Sequence, residues 1–280
     1  MVHDVLMSRT SHVRIPPPPG TERLVEHAWV MRADGGEPWR ALLVPNGRPS
    51  VVVCLGEPGE RIEPLSGSRS PNAGSVAGVR RLPVVLEQRG EAWYVGVRLR
   101  AYGLALLGLR DRLVDATAPL EVLEGLAVAE LSAQLRAAAD DDAAAGLLAQ
   151  RLAALARHDV PVDRLAIVDR AVTVLAARRG LVSATDLARA VGVPQTILDV
   201  TLDELVGVGL EEFTAITRFH HFVGGPGGPE QGEAAVRVLG RYRLEGRTPR
   251  ETLRFTGLTP ARYREVRDAV AALLAPSAVG

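Results

Sequence analysis

The sequence contains no lysine, so all 33 of its basic residues are arginines. Thirty-three acidic residues balance them, and the formal net charge is zero. This balance argues against a protein that is basic throughout, so the distribution of charge along the chain matters more than its sum. The missing lysine also excludes a Walker-type phosphate loop in the glycine-rich stretch Gly224 to Gly232, because that loop needs a lysine.

Cysteine and long apolar runs are scarce as well. Cys54 is the only cysteine, which excludes an intramolecular disulfide, and its β-like surroundings predict a buried structural thiol. No apolar run reaches the ~18 residues needed to span a bilayer. Residues 1–20 lack the basic-then-apolar order of a signal peptide. We therefore expect a cytoplasmic protein.

Groupings of potential catalytic or metal-binding residues are few. The dense ones are the pair His220 and His221 and the run Asp140 to Asp142. Neighbouring side chains on a helix point about 100° apart, so the two histidines make a poor chelate. The aspartates are expected to form a solvated turn, and no Gly-x-Ser-x-Gly elbow occurs. We predict no catalytic residue, no metal site and no cofactor, and we do not expect an enzyme.

The pattern of apolar residues divides the chain into three segments. Residues 1–118, the front segment, are β-rich. Residues 119–160 form a helical connector, and residues 161–280 are all-α, which predicts an α+β fold. Gly67 to Ser75 is expected to be a flexible loop. Strands are predicted at four β-branched runs, Ala41 to Val44, Ser50 to Gly56, Leu82 to Gln88 and Ala92 to Arg100.

The connector contains two predicted helices, Leu120 to Ala138 and Ala143 to Arg157, with long apolar stripes. One small β-rich domain leaves part of such stripes uncovered, so we expect the connector to carry homodimerisation. Four aromatic residues of the front segment favour core packing, with a small-molecule pocket as the alternative: Trp29, Trp39, Trp93 and Tyr94. The sequence does not identify an effector.

The all-α segment contains two units of opposite charge. The first, Ser183 to Val223, has two arginines and six acids, a net charge of −4. Ser183 is predicted to cap its first helix, and Gly192 to form the turn into the second. On the second helix Ile197, Leu198, Thr201, Leu202 and Leu205 are predicted to face inward, which leaves Thr196, Asp199, Val200 and Asp203 facing outward.

The second unit, Arg237 to Arg267, has nine arginines and three acids, a net charge of +6. A cluster of this kind suits a phosphate-rich partner, and a solvated arginine-rich surface is the alternative. The stretch Gly224 to Gly232 is predicted to be a flexible linker between the two units.

The order of these motifs resembles the AraC family of transcription regulators. The C-terminal run Gly257, Thr259, Pro260, Tyr263 and Arg264 is similar to the end of the family's second helix-turn-helix. Thr259 can cap the last helix, with Pro260 in its first turn. The first unit resembles the first helix-turn-helix at Leu187, Ala188, Gly192, Leu198, Gly207, Arg218 and Phe219. The front segment resembles a sensor domain of one subgroup at Leu24 to Trp29, Leu42 to Gly47 and Val95 to Gly103.

The resemblance implies tandem helix-turn-helix units that bind promoter DNA and a front domain that responds to a small molecule. The family's first reading helix carries arginines at the positions of Thr196 and Val200, and both are absent here. We therefore assign DNA binding to the second unit, where Arg250 and Arg254 match family arginines. The residues expected to contact DNA are Arg243, Arg247, Thr248, Arg250 and Arg254.

Two functions stay open on the sequence. The first is a regulator that binds promoter DNA mainly through the second helix-turn-helix. The second is a degenerate AraC-like protein that acts by binding protein or ligand without reading DNA. Zero net charge and the acidic first unit favour the second, and the basic cluster favours the first.

Overall fold

The computed structural model describes residues 10–36, 38–109, 112–224 and 247–274. Two antiparallel sheets form the front segment, in the orders β1-β2-β9-β4-β7-β10 and β3-β8-β5-β6. The strands are β1 (Thr10–Ile15), β2 (Val25–Ala33), β3 (Trp39–Leu43), β4 (Ser50–Cys54), β5 (Gly59–Ile62), β6 (Arg69–Asn72), β7 (Gly74–Ala77), β8 (Val84–Gln88), β9 (Ala92–Leu99) and β10 (Thr117–Ala118).

Strand β9 is central to the six-stranded sheet because it pairs with both β2 and β4. Gly96 of β9 lies opposite Trp29 of β2. A Cβ atom at Gly96 would come within 2.2 Å of the Trp29 ring, so only glycine leaves room for the indole. The close approach explains a glycine in the middle of an otherwise β-branched strand.

The four predicted strands are present as β3, β4, β8 and β9. The prediction of a flexible loop from Gly67 to Ser75 is wrong, because β6 and the start of β7 lie there. Strand β6 is at the edge of its sheet, where Pro71 is tolerated since one side of an edge strand needs no amide donor. The stretch from Gly67 to Ser75 is polar and contains glycine, as a loop does, and yet it includes a paired strand.

The helices follow from residue 103 onward. They are α1 (Gly103–Leu106), a 3-10 turn (Leu120–Val122), α2 (Val128–Arg136), α3 (Asp141–Ala154), α4 (Val162–Ala177), α5 (Ala184–Val191), α6 (Gln195–Val206), α7 (Leu210–Gly224), α8 (Pro249–Thr256) and α9 (Pro260–Leu274). The helix predicted from Leu120 thus begins only at Val128. The predicted linker Gly224 to Gly232 lies, beyond its first residue, outside the described residues.

Helix α3 packs on the six-stranded sheet against β2 and β9. Its apolar side, Ala144, Ala145, Leu148, Ala149 and Leu152, is completely buried in the main core. The apolar stripe of α3 is therefore covered by the same chain. An uncovered stripe on α3 no longer supports self-association, and homodimerisation stays a prediction. The aspartate run is not a solvated turn: Asp140 caps α3 by accepting from the Ala143 amide at 2.8 Å, and Asp141 pairs with Arg32 at 2.8 Å.

The described residues from 161 onward, called the back half below, pack against one face of the four-stranded sheet. Leu42, Ile62 and Val85 of that sheet form one buried cluster with Phe219 of α7 and three residues of α9, Tyr263, Val266 and Val270. The turn between β3 and β4 contacts α7 as well. A Cβ atom at Gly47 (φ +70°) would lie 2.8 Å from the Phe213 ring, and His220 Nδ1 is 3.0 Å from the Pro45 carbonyl oxygen. Helix α7 is thereby held between the two halves.

Candidate nucleic-acid interface

Helices α5 and α6 form the first helix-turn-helix as the sequence predicts. Ser183 caps α5, since its hydroxyl accepts a hydrogen bond from the Asp186 amide at 3.1 Å. Gly192 ends α5 with φ +82°, the left-handed conformation that glycine adopts without strain. Leu187, Ala188 and Val191 are buried. The local signals therefore fix where α5 begins and ends.

The outward face of α6 carries no cation. Leu198, Thr201, Leu202 and Leu205 are buried, as predicted, whereas Thr196, Val200 and Asp203 are exposed. The prediction for Ile197 is wrong: its side chain is 48% exposed, because it lies at the edge of the buried stripe. The face where a DNA-reading helix presents its side chains is therefore apolar and acidic.

Most acids of the first unit serve the fold. Asp199 is exposed, as predicted, and its carboxylate also accepts a hydrogen bond from the Leu210 amide at 2.7 Å. Glu204 pairs with Arg164 of α4, and Glu212 pairs with Arg81 of the front segment at 3.0 Å. Asp186 pairs with Arg189 at 2.5 Å. The side chains of the two other acids, Asp203 and Glu211, make no hydrogen bond or ion pair within the described part of the chain.

Helix α8 is short and strongly capped. Thr248 and Glu251 form a reciprocal capping box: the Glu251 amide donates to Thr248 Oγ1 at 3.2 Å, and the Thr248 amide donates to Glu251 Oε2 at 2.8 Å. Pro249 occupies the first turn, where its missing amide hydrogen costs nothing. Gly257 ends the helix with φ +73°. These eight residues thus form a helix with a defined start and end.

The buried side of α8 consists of threonines. Thr252 and Thr256 are 1% and 0% exposed. Thr256 Oγ1 donates to the Thr252 carbonyl at 2.7 Å and accepts from the Leu258 amide at 3.1 Å, so its hydroxyl is satisfied inside the fold. The α8 backbone is held by these hydrogen bonds rather than by a large apolar anchor.

Arg250 and Arg254 lie one turn apart on the side of α8 opposite to the two buried threonines. Both are exposed, and neither side chain makes a hydrogen bond or ion pair with a described residue. Arg247 and Thr248 are exposed at the start of the same helix, although the Thr248 hydroxyl is used in the capping box. Arg243 lies outside the described residues. The structure thus brings four of the five predicted DNA-contacting residues to one helix.

The last helix begins as predicted. The Arg262 amide donates to Thr259 Oγ1 at 3.3 Å, and α9 starts at Pro260. Tyr263 is completely buried against the four-stranded sheet with Phe222 in an edge contact at 6.1 Å. The tyrosine of the C-terminal motif therefore anchors α9 to the front segment.

A cavity of about 460 Å³ lies at the junction between the front segment and the second unit. Leu82, Ile216, Phe219 and Leu258 supply apolar walls, and two arginines with two acids supply its polar groups: Arg81, Arg262, Asp115 and Glu212. Arg81 donates to Asp115 at 2.6 Å and to Glu212 at 3.0 Å, so one guanidinium bridges both halves across this cavity.

The aromatic residues of the front segment are divided between two faces. Tyr94 is buried in a cluster with Trp29 and Trp39, while Trp93 packs on the main core. The Tyr94 hydroxyl donates to Gln88 Oε1 at 3.0 Å and accepts from the Gly59 amide at 2.9 Å. Burial raises the pKa of Tyr94 to about 12, and burial also raises the pKa of the half-buried Cys54 thiol. A raised pKa keeps the thiol protonated and unreactive, in agreement with a structural role.

Two functional residues were missed by the sequence reasoning. Arg218 was noted only as part of a family motif, yet its side chain connects the turn at Gly180 with helix α8. Arg81 was not singled out, although it bridges both halves. No local sequence signal identifies either contact, because their partners lie far away in the chain. Within the described ranges no three side chains form a metal-binding group, and no helix is both long and apolar enough to cross a membrane.

Comparisons with known proteins give limited similarity. A family model described as a domain of unknown function (DUF6597) matches residues 13–110. No curated protein matches. A crystal structure of ToxT from Vibrio cholerae O395 is similar with 10% identity and a TM-score of 0.36, covering 86% of this chain and 92% of that one. The AraC-like transcriptional activator CuxR has 10% identity and a TM-score of 0.30, covering 73% and 92%. At these TM-scores the two likenesses carry no functional argument.

Proposed function

We propose that this protein is a transcription regulator of the AraC type that binds promoter DNA mainly through its second helix-turn-helix. The observation that carries the proposal is the outward face of α8, where Arg250 and Arg254 are exposed and pair with no acid among the residues that the structure describes. Unpaired arginines one helical turn apart can contact neighbouring phosphates or the O6 and N7 atoms of guanine.

The first helix-turn-helix has a supporting part in this proposal. Its reading helix α6 presents Thr196, Val200 and Asp203, none of which attracts phosphate. The paired acids around it orient α6, α7 and the front segment relative to one another. The unit therefore positions α8, and Asp203 disfavours close approach of α6 to the DNA backbone.

A small-molecule effector is the finer part of the proposal. The junction cavity has a volume in the range of ligand sites, and it combines apolar walls with a few charged groups. A ligand there would contact the front segment through Leu82 and the second unit through Leu258 at the same time. Its binding would thus alter the contact that holds α9, which is the coupling a regulator needs.

The test compares single arginine variants on two duplexes, one from the region upstream of the protein's own gene and one of scrambled sequence. We expect Arg250→Ala and Arg254→Ala each to weaken binding and to lower the salt slope by about one. If either arginine reads a guanine, its loss also relaxes the preference for the upstream duplex by about 1–3 kcal/mol. Arg89→Ala, an exposed arginine paired with Glu87 on the front segment, is the matched control. Unchanged binding in both α8 variants would replace this proposal with the protein- or ligand-binding alternative.

A further inference from the structure

The side chain of Arg218 hydrogen-bonds to backbone on both sides of the junction between the two helix-turn-helix units. Arg218 of α7 donates through Nε and Nη2 to the Gly180 carbonyl, at 3.1 and 3.0 Å, and through Nη1 to the Leu253 carbonyl at 3.1 Å. Gly180 belongs to the turn between α4 and α5, and Leu253 belongs to α8. The planar guanidinium therefore fixes the distance between this turn and the reading helix of the second unit.

The residues next to these two carbonyls are both arginines. Arg179 precedes Gly180 and Arg254 follows Leu253, so the contacts of Arg218 bring both backbones to the same place. Arg179 is exposed, and its side chain makes no hydrogen bond or ion pair with a described residue. Arg179, Arg218 and Arg254 thus come to one region from distant parts of the chain, and within the described residues none of the three side chains pairs with an acid.

The backbone at this turn is also unusual. Arg179 has φ +52°, a left-handed conformation that costs free energy for a residue other than glycine. Gly180 follows with φ +68°, and a Cβ atom there would lie 2.8 Å from the Arg218 amide nitrogen. Glycine is therefore required at position 180 for the close approach of α7. An arginine at position 179, by contrast, has a strained backbone conformation. A role of its side chain therefore explains better than backbone preference why an arginine occupies this position.

The electrostatics agree with this arrangement. Burial and then the charge of Arg254 lower the pKa of the Arg218 guanidinium. Burial and then the charge of Arg179 lower the pKa of His221, which lies one turn after Arg218 on α7. Arg178, the other neighbour of Arg179, interacts with Asp186 and is partly neutralised by it. Arg179 and Arg254 are thus two exposed cations near this junction whose side chains pair with no acid among the described residues.

We propose that Arg179 contacts the DNA phosphate backbone beside Arg254, so that the phosphate-binding surface of α8 extends onto the turn before the first helix-turn-helix. Arg218 is the positioning residue of this surface, because it holds the turn at Gly180 and helix α8 in place. The inference rests on the proposed DNA binding and adds a contact outside the arginine-rich second unit. A phosphate would relieve the repulsion among the three guanidinium groups, and release of its counterion would favour binding.

The first test measures binding of the upstream and scrambled duplexes by Arg179→Gly between 50 and 200 mM salt. Glycine removes the charge and also tolerates the positive φ, so the variant should fold at least as well as the parent. We expect the logarithmic salt slope to fall by about 0.9 and the affinity for both duplexes to fall by the same factor. The control is Arg151→Ala on α3, which removes an equal charge from an exposed site paired with Glu130 and should keep the parent slope.

The second test examines the role of Arg218 with a double-mutant cycle. Arg218→Lys keeps the charge but loses the fork that reaches Gly180 and Leu253 together. If Arg218 acts by positioning, Arg179→Gly should lower the salt slope less in the Arg218→Lys background than in the parent. Additive effects on the slope would contradict the positioning role.

The outcomes separate this inference from the proposal beneath it. If the parent binds DNA and Arg250→Ala weakens it, but Arg179→Gly keeps the parent slope, the inference is wrong and the proposed function stands. The inference also fails if Arg179→Gly weakens only the upstream duplex, since a phosphate contact is blind to sequence, or if Arg151→Ala lowers the slope equally. If the parent protein does not bind DNA, both the inference about Arg179 and the proposed function are wrong.

Discussion

Asp199 on helix α6 accepts a hydrogen bond from the backbone amide of Leu210, the first residue of α7, at 2.7 Å. The amides in the first turn of a helix have no partner within that helix, so the carboxylate satisfies one of them. An acid that is unexpected on a DNA-reading helix is thus explained by the fold. The close fit is visible at Gly209, where a Cβ atom would lie 2.9 Å from Asp199 Oδ1.

Substitution of Asp199 should therefore affect stability. We expect Asp199→Ala to lower the free energy of unfolding by about 1–2 kcal/mol, because the Leu210 amide loses its acceptor. Asp199→Asn keeps an oxygen and should lose much less. Asp203→Asn, one turn away at a side chain with no partner in the described part of the chain, serves as the control and should be neutral in urea unfolding. Equal stability of Asp199→Ala and Asp203→Asn would contradict the cap.

The two roles available to Thr248 can be separated. Thr248→Ala removes the hydroxyl of the capping box and should lower the free energy of unfolding by about 1 kcal/mol, whereas Thr248→Ser keeps the hydroxyl and should retain it. If Thr248 also contacts DNA through its hydroxyl, the serine variant should bind like the parent. Loss of DNA binding by Thr248→Ser at unchanged stability would show that DNA binding needs the methyl group of Thr248. The capping box does not predict that result.

Docking of the back half on the four-stranded sheet should dominate the stability of the second unit. Phe219 is 1% exposed in the cluster with Leu42 and Tyr263, so Phe219→Ala should cost about 3–5 kcal/mol. Phe255, 37% exposed on α8, is the matched control, and Phe255→Ala should cost far less. Chemical denaturation of both variants gives the comparison. Similar losses would indicate that the buried cluster does not form.

Stability should fall at moderately acidic pH. Burial lowers the pKa of His27 to about 4, with nearby Arg98 contributing, and burial lowers the pKa of His220 to about 4, with nearby His221 contributing. In the unfolded chain both titrate near the usual value of about 6.5, so between these values the unfolded state binds more protons. The free energy of unfolding therefore decreases as pH falls from about 6.5 to about 4, and it is insensitive to these groups above that window.

The measurement is urea unfolding at pH 7.0, 5.5 and 4.5 for the parent and for His220→Gln. Glutamine does not titrate in this range, so the variant should lose less stability on acidification than the parent. An identical pH dependence in both chains would mean that His220 is not the buried neutral group described here.

The sequence predicted those elements whose signals are local. Ser183, Gly192, Thr259 and Pro260 act at helix ends through their own backbone neighbours, and all four are found where expected. The strands β4, β8 and β9 were predicted because they are short runs of β-branched residues bounded by turn residues. Strand β6 was missed because at a sheet edge its polar residues and Pro71 resemble a loop.

The arrangement of the candidate interface could not be predicted in the same way. Whether an acid is free or paired depends on partners far away in the chain, as for Glu204 with Arg164 and Glu212 with Arg81. The contacts of Arg218 join residues that are 35 and 38 positions away from it. Net charge per unit therefore overstated how acidic the first unit is toward a partner, because it counts acids that the fold has already neutralised.

The most direct test of DNA binding through α8 is the salt dependence of parent binding to the duplex upstream of its own gene. Fluorescence anisotropy between 50 and 200 mM salt gives the logarithmic slope. With Arg250 and Arg254 both on phosphates we predict a slope of about −2 or steeper, and Arg250→Ala should make it shallower by about one. A slope near zero, or no binding at 50 mM salt, would contradict the account.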